Sequence, residues 1–298
     1  MQFHQLTFAH IMERHVLYYD ADAPDACAFI CQRLNVNALP GLDGETYYPF
    51  DEETSQFGVP QPMAEQHRVQ QHDRLFTDTI KDCFAQTDPN VLFVYEGRVL
   101  VGVAHVSDFN HNSVLQIVQD DIILFERDLR RFFTLRGRSD ADMLQFFEYQ
   151  SEHASADGLR SFYRDKLRDA TQPRRQNERR LLDPFQTFEF SDLLYFSGSD
   201  VAGPLMRFDQ IKDLVGLRNR VMHAKNTVEY DEHHVYSYES LERLYDGLSL
   251  LEREYYRLIR AIVNDLDHSR SRREANRARL DQISESGEKA LRFFKSGL

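Results

Sequence analysis

The sequence predicts an α+β chain of two domains, with an α/β first half and an all-α second half. Its 298 residues exceed what one small core organises, so each half is expected to bury a core of its own. Strand patterning is concentrated before residue 138. After Arg138 that signal fades and apolar residues recur at helical spacing instead.

The clearest strand signal runs from Val91 to Asn110, VLFVYEGRVLVGVAHVSDFN, where two apolar runs flank a Glu-Gly turn as in a hairpin. A helical face precedes it, with Phe76, Ile80 and Phe84 at i, i+4 and i+8. Ser107-Asp108 then opens another periodic segment, Asp108 being suited to cap or precede a helix. An earlier stretch repeats the order: a helix from Ala23 to Leu34, then Asn37 to Pro40, the Asp43-Gly44 turn, and Thr46-Tyr47-Tyr48.

In the second half, Met143, Phe146 and Phe147 begin a helical pattern that continues through Leu159, Phe162, Tyr163 and Leu167, and Pro173 closes that region. Phe185 to Leu194 forms another apolar segment, ending at the turn-rich Phe196-Ser197-Gly198-Ser199. A third helix is expected from Asp209 to Ala224, and a long fourth from Tyr238 to Leu266. An up-down four-helix bundle is the economical arrangement. The predicted division is 1–138, 139–267 and a charged helix or tail over 268–298.

No stretch approaches the roughly 20 apolar residues of a membrane helix, and Met1-Gln2-Phe3-His4 lacks the order of a signal peptide, so the cytoplasm is the expected compartment. Cys27, Cys31 and Cys83 lack CxxC spacing and are expected to be buried thiols, with no zinc site or disulfide framework. His10 and His15 form only an isolated pair, weak as metal ligands.

The formal charge of -12 argues against a polyanionic partner, yet it is unevenly shared. Residues 1–138 hold 20 acids and 11 bases, whereas residues 139–298 hold 28 acids and 25 bases. Eight bases cluster between Arg160 and Arg180, among them Arg174, Arg175, Arg179 and Arg180. Such a run is either a solvated helix face or a local footing for RNA.

Gly102-Val103-Ala104-His105-Val106-Ser107-Asp108 resembles the Gly-apolar-apolar-Thr-x-x-Asp segment of tandem CBS (cystathionine beta-synthase) modules, which are about as long as residues 1–135. The resemblance implies a regulatory adenine nucleotide, with Asp108 on the ribose and His105, in place of the family's Thr, near phosphate or base. The earlier repeat matches at Leu39-Pro40 and Asp43-Gly44 but lacks the Gly-to-Asp segment. The alternative is that Gly102 allows close packing and Asp108 caps a helix.

Leu217-Arg218-Asn219-Arg220-Val221-Met222-His223 places Arg, Asn and His on an otherwise apolar helix. On a regular helix Asn219 and His223 lie about 40 degrees apart, while Arg218 lies about 140 degrees from His223 and needs its long side chain to reach the same place. A two-fold pairing of such helices would complete a site.

The segment resembles the Arg-x4-His motif of HEPN (higher eukaryotes and prokaryotes nucleotide-binding) RNases over about residues 140–266. That resemblance implies metal-independent RNA cleavage by a homodimer, the ribose 2'-hydroxyl attacking the adjacent phosphate. It assigns proton transfer to His223, phosphorane stabilisation to Arg218 and imidazole orientation to Asn219, with no catalytic metal or cofactor. Arg220 is expected to contact RNA or solvent.

HEPN toxins silenced by nucleotidyl transfer carry Tyr two residues after His; here Lys225 stands there, which puts that route in doubt. One functional expectation is a ligand-gated RNase, such as a translation-arresting toxin or defence effector with an antitoxin or regulatory partner. The other is a non-catalytic dimeric scaffold that senses nucleotide for a protein partner. In that case Arg218 pairs with a carboxylate such as Asp213, and His223 ends a core helix.

Overall fold

The computed structural model describes residues 1–34, 36–86, 91–200, 202, 205–222, 228 and 238–296, with the side chains of 34, 208, 272, 275, 276 and 279–296 left out of the description. The chain is of mixed α+β class, and it divides into two compact units that are each discontinuous in sequence. The first unit joins Met1–Leu124 to Lys212–Glu252; the second joins Phe125–Ile211 to Arg253–Leu298. These boundaries differ from the sequence-based division at 138, because they fall inside helices.

The first unit opens with a segment tied down by Asp121, a fully buried residue whose carboxylate accepts the backbone N–H groups of Gln2 (2.8 Å) and Phe3 (3.0 Å). Helix α1 (Pro24–Leu34) leads into an antiparallel sheet of β1 (Ala38–Pro40), β2 (Thr46–Asp51) and β3 (Gln56–Phe57), with β4 (Gln61–Pro62) also paired to β2. The β1–β2 turn forms where expected: Asp43 Oδ1 accepts from the Glu45 and Thr46 N–H groups, and Gly44 takes a φ of +65°. Cys27 and Cys31 are buried and Cys83 half-buried, all as free thiols.

A second sheet follows, in which β5 (Arg68–Gln70) pairs parallel to β6 (Val91–Glu96) with helix α2 (Asp78–Gln86) between them in sequence. The antiparallel β7 (Val99–His105) returns from β6 through a turn at Gly97, whose φ is +63°. Strand β6 is buried from Val91 through Tyr95. Val91, Phe93 and Tyr95 pack with Ala38, Tyr47 and Met63, and Leu92 and Val94 are wholly buried on the opposite face. That double burial explains an unbroken apolar run in place of alternation.

A 3-10 turn (Val106–Asn110) then leads to α3 (Asn112–Leu135). Two later helices supply the remaining core of this unit: α8 (Phe208–Met222) through Leu214, Leu217 and Val221, and the first part of α9 (Tyr238–Ser296) through Leu241, Leu244, Tyr245 and Leu248.

In the second unit, α4 (Asp140–His153) and α5 (Asp157–Ala170) pack against each other, with Phe146 meeting Tyr163 edge-on. They replace the single helical region expected from Met143 to Leu167. Ala154 leaves helical geometry at ψ 142°, and its carbonyl is capped by Arg160 Nη1 at 2.6 Å. Helices α6 (Pro173–Leu181) and α7 (Phe190–Ser197) follow. Thus α4 to α9 occupy the span read as four helices. Phe133, Phe146, Phe185 and Phe196 form an aromatic centre, the Phe133 and Phe196 rings 5.0 Å apart. The charged segment after residue 267 continues α9 to Ser296. No helix among the described residues is long and apolar enough to cross a membrane.

Candidate functional site

Two places collect the residues singled out for ligand binding and catalysis, and both belong to the first unit. The first is a cavity of about 480 Å³ whose lining includes His105, Ser107 and Asp108. Its walls come from four parts of the sequence: Glu13 to Leu17, the β1 strand, the start of β6, and the end of β7 with the turn that follows.

Gly102 makes the N-terminal part of that lining feasible. The Glu13 and Val103 backbones exchange two hydrogen bonds of 2.9 and 3.1 Å. A Cβ at Gly102 would stand 2.8 Å from Met12 Sδ and 3.0 Å from the Glu13 carbonyl, so this approach is open only to glycine. The packing alternative for Gly102 is therefore realised, and it sets Glu13 at the cavity.

The turn is held by a reciprocal cap. Asp108 Oδ2 accepts from the His105 backbone N–H at 2.8 Å, while His105 Nδ1 accepts from the Ser107 backbone N–H at 3.1 Å. Accepting through Nδ1 places the proton of neutral imidazole on Nε2. Burial pushes the His105 pKa down to about 4. Burial, with a contribution from the Glu13 charge, pushes the Asp108 carboxyl up to about 6. Near pH 7 the His105 imidazole is therefore neutral and the Asp108 carboxyl mostly ionised.

Among the described residues, the lining contains no Lys or Arg. That composition bears on the nucleotide expectation, because a phosphate brought within about 4 Å of a carboxylate meets repulsion of about 4 kcal/mol per charge pair at an effective dielectric of about 20. Glu13 had no signal in the sequence. It lies outside any named strand, and its place depends on the Val103 pairing.

The second place is α8. Arg218 is half-buried and Asn219 exposed, and Arg218 Nη1 donates to Asn219 Oδ1 at 3.2 Å. The long guanidinium thus bends toward its neighbour. Arg218 Nε is buried without a hydrogen-bond partner among the described residues. His223 lies outside the described residues, as does Lys225. Arg220 lines a separate groove of about 310 Å³ beside Arg243, Asp246 and Gly247, on the side of α8 toward α9.

Side-chain amides hold the backbone on either side of His223 in sequence. Gln119 Nε2 donates to the Val221 carbonyl at 2.9 Å. Asn110, at the end of the turn that carries Asp108, bonds Val228 twice: Nδ2 donates to its carbonyl at 3.0 Å and Oδ1 accepts its N–H at 2.8 Å. Neither amide was singled out in the sequence, since the pairing spans more than a hundred residues.

The arginines proposed for RNA sit on α6 in the other unit and are mostly engaged. Arg174 and Arg175 both hold Glu178 at 3.0 Å, and Arg179 donates to the Ala170 carbonyl and lies over the Phe188 ring. Arg180 is exposed. Elsewhere in the run, Arg160 pairs with Asp157, Arg168 with Asp165, and Lys166 with Glu189 and Asp192. His10 bonds Thr7 and His15 bonds Glu13. Among the described residues, no group of three or more His, Cys, Asp or Glu side chains could hold a metal ion.

No protein-family model, curated protein or solved structure significantly matches the chain.

Proposed function

We propose that this chain is a metal-independent endoribonuclease of the HEPN type, regulated by a small ligand in the cavity beside His105 and Asp108. The observation that carries the catalytic half is the contact of Arg218 with Asn219 on an open part of α8, four residues before His223. A guanidinium's planar fork of donors suits a phosphorane, and an imidazole exchanges protons near neutrality. Asn219 orients the imidazole. The active species is a homodimer paired at least partly through α8, whose outer positions Asp209, Asp213 and Asn219 are exposed. An effector role as a toxin or in defence, with an antitoxin or other regulatory partner, belongs to this reading.

Regulation is supported by chain organisation: the cavity and Arg218 share one compact unit, and Asn110 runs from the cavity turn to Val228. A ligand acts there only through unequal affinity for two states.

The test is to incubate the purified chain with total RNA in excess chelator. Cleavage leaving 2',3'-cyclic phosphate ends, with DNA spared, is expected. His223→Ala should abolish it, and Arg218→Lys should be nearly as damaging because a point-charge ammonium loses the bidentate geometry. Magnesium dependence, DNA cleavage, full activity as a monomer or activity of His223→Ala would each reject the assignment.

One observation favours a second reading, the non-catalytic dimeric scaffold: the basic run is already paired with local carboxylates. A folded dimer that leaves all RNA intact selects it.

A further inference from the structure

We propose that the cavity beside the Val106–Asn110 turn takes a small organic cation, an apolar body carrying a protonated amine, in preference to a phosphorylated ligand. The inference rests on reading this cavity as a ligand site and goes further by naming the chemistry it selects.

The body of the ligand is specified by the walls. Leu17, Val36, Leu39, Val91 and Val103 give a broad apolar surface within a space of about 480 Å³, in the range of small-molecule sites. Removal of a ring or branched chain from water supplies the main attraction. The polar side chains of the lining are Glu13, His15, Asn37, His105, Ser107 and Asp108.

The head group is specified by charge. Among the described lining residues the carboxylates are Glu13 and Asp108, Lys and Arg are absent, and burial pushes the His105 pKa down to about 4. The two carboxylates also feel each other, since the Glu13 charge contributes to the upward displacement of the Asp108 pKa. A cation lodged by both relieves that repulsion, whereas a phosphate adds to it. His15 is exposed and lies with Nδ1 3.2 Å from Glu13 Oε1, on the solvent side of that carboxylate.

The fold positions both acids. Asp108 Oδ2 is engaged with the His105 N–H, and Glu13 is set at the cavity by the backbone exchange with Val103 that Gly102 permits. The Asp108 carboxylate is thus fixed on the turn after β7, while the Glu13 backbone is fixed against β7 and its Oε1 accepts from the His15 backbone N–H at 2.7 Å.

Calorimetry and thermal melting of the full chain with tryptamine, its neutral analogue tryptophol, adenosine and AMP test the proposal. Tryptamine should bind saturably and raise the melting temperature, since a ligand of the folded state stabilises it by mass action. Tryptophol and AMP should bind at least roughly tenfold more weakly. Glu13→Gln, at an exposed position, should weaken tryptamine by a similar factor while leaving tryptophol unchanged, and Asp108→Asn should do the same where it folds. AMP binding tighter than tryptamine and lost in Asp108→Asn would overturn the cation inference while keeping the ligand site. Equal tryptamine affinity in Glu13→Gln and wild type would also overturn it. Silence from all four probes would overturn both readings.

Discussion

His105 and Asp108 are displaced in opposite directions by the same burial, and their effects on stability oppose each other. The unfolded imidazole takes its proton near 6.5, whereas in the folded chain it waits until about 4. Over that window the unfolded state binds more protons, so His105 makes stability fall on acidification. Asp108 takes its proton at about 6 when folded and near 3.8 when unfolded, so between those values the folded state binds more and acidification favours it. The windows nearly coincide, and the wild-type turn is buffered against pH. Each half becomes visible alone: relative to wild type, Asp108→Asn should lose melting temperature more steeply from pH 6.5 to about 4.5. His105→Asn, which keeps a capping acceptor, should lose it less steeply. Melting curves at several pH values decide this, and variants that track wild type in parallel would refute the opposing titration.

Among the elements, the hairpin of β6 and β7 was legible because both its strand residues and its Glu-Gly turn follow local rules, and Gly97 supplies the positive φ the turn needs. Helix α6 was not. No residue of it is buried, so it has no apolar period to read, and Pro173 starts it at the first helical position where its missing N–H costs nothing. The same proline was read as an end. The break between α4 and α5 was hidden for a related reason: Ala154 and Ala156 are good helix formers, and the stop depends on Arg160 capping a carbonyl in space. At the cavity, His105 and Asp108 could be picked from sequence, whereas Glu13 and Asn110 depend on pairings far along the chain. Gly102 gives the sharpest element-scale test. Gly102→Ala should push the Met12–Glu13 segment off β7 and destabilise by about 1–3 kcal/mol, the usual cost of overpacking. Chemical denaturation measures the loss, and any ligand affinity that depends on Glu13 should fall with it.

At the scale of the whole molecule, the first unit joins the N-terminal part of the chain to the distant segment 212–252, and this decides how it can be cut. Its α/β part is completed by 212–252, which supplies Leu214, Leu217, Val221, Leu241, Leu244 and Leu248 as buried side chains. Polar contacts reinforce this: Tyr245 donates its hydroxyl to the Leu75 carbonyl, Lys81 pairs with Glu242 at 3.2 Å, and Asn110 grips Val228. Burying one such aliphatic side chain contributes about 1.5–3 kcal/mol. Six of them together approach or exceed the roughly 5–15 kcal/mol by which a native domain outweighs its unfolded state. A fragment of residues 1–138 should therefore lack a cooperative thermal transition and near-UV dichroism, even though it holds both sheets. Sharp, native-like melting of the 1–138 fragment would show that the α/β part folds by itself, and the shared organisation that links the cavity to Arg218 would then lose its basis.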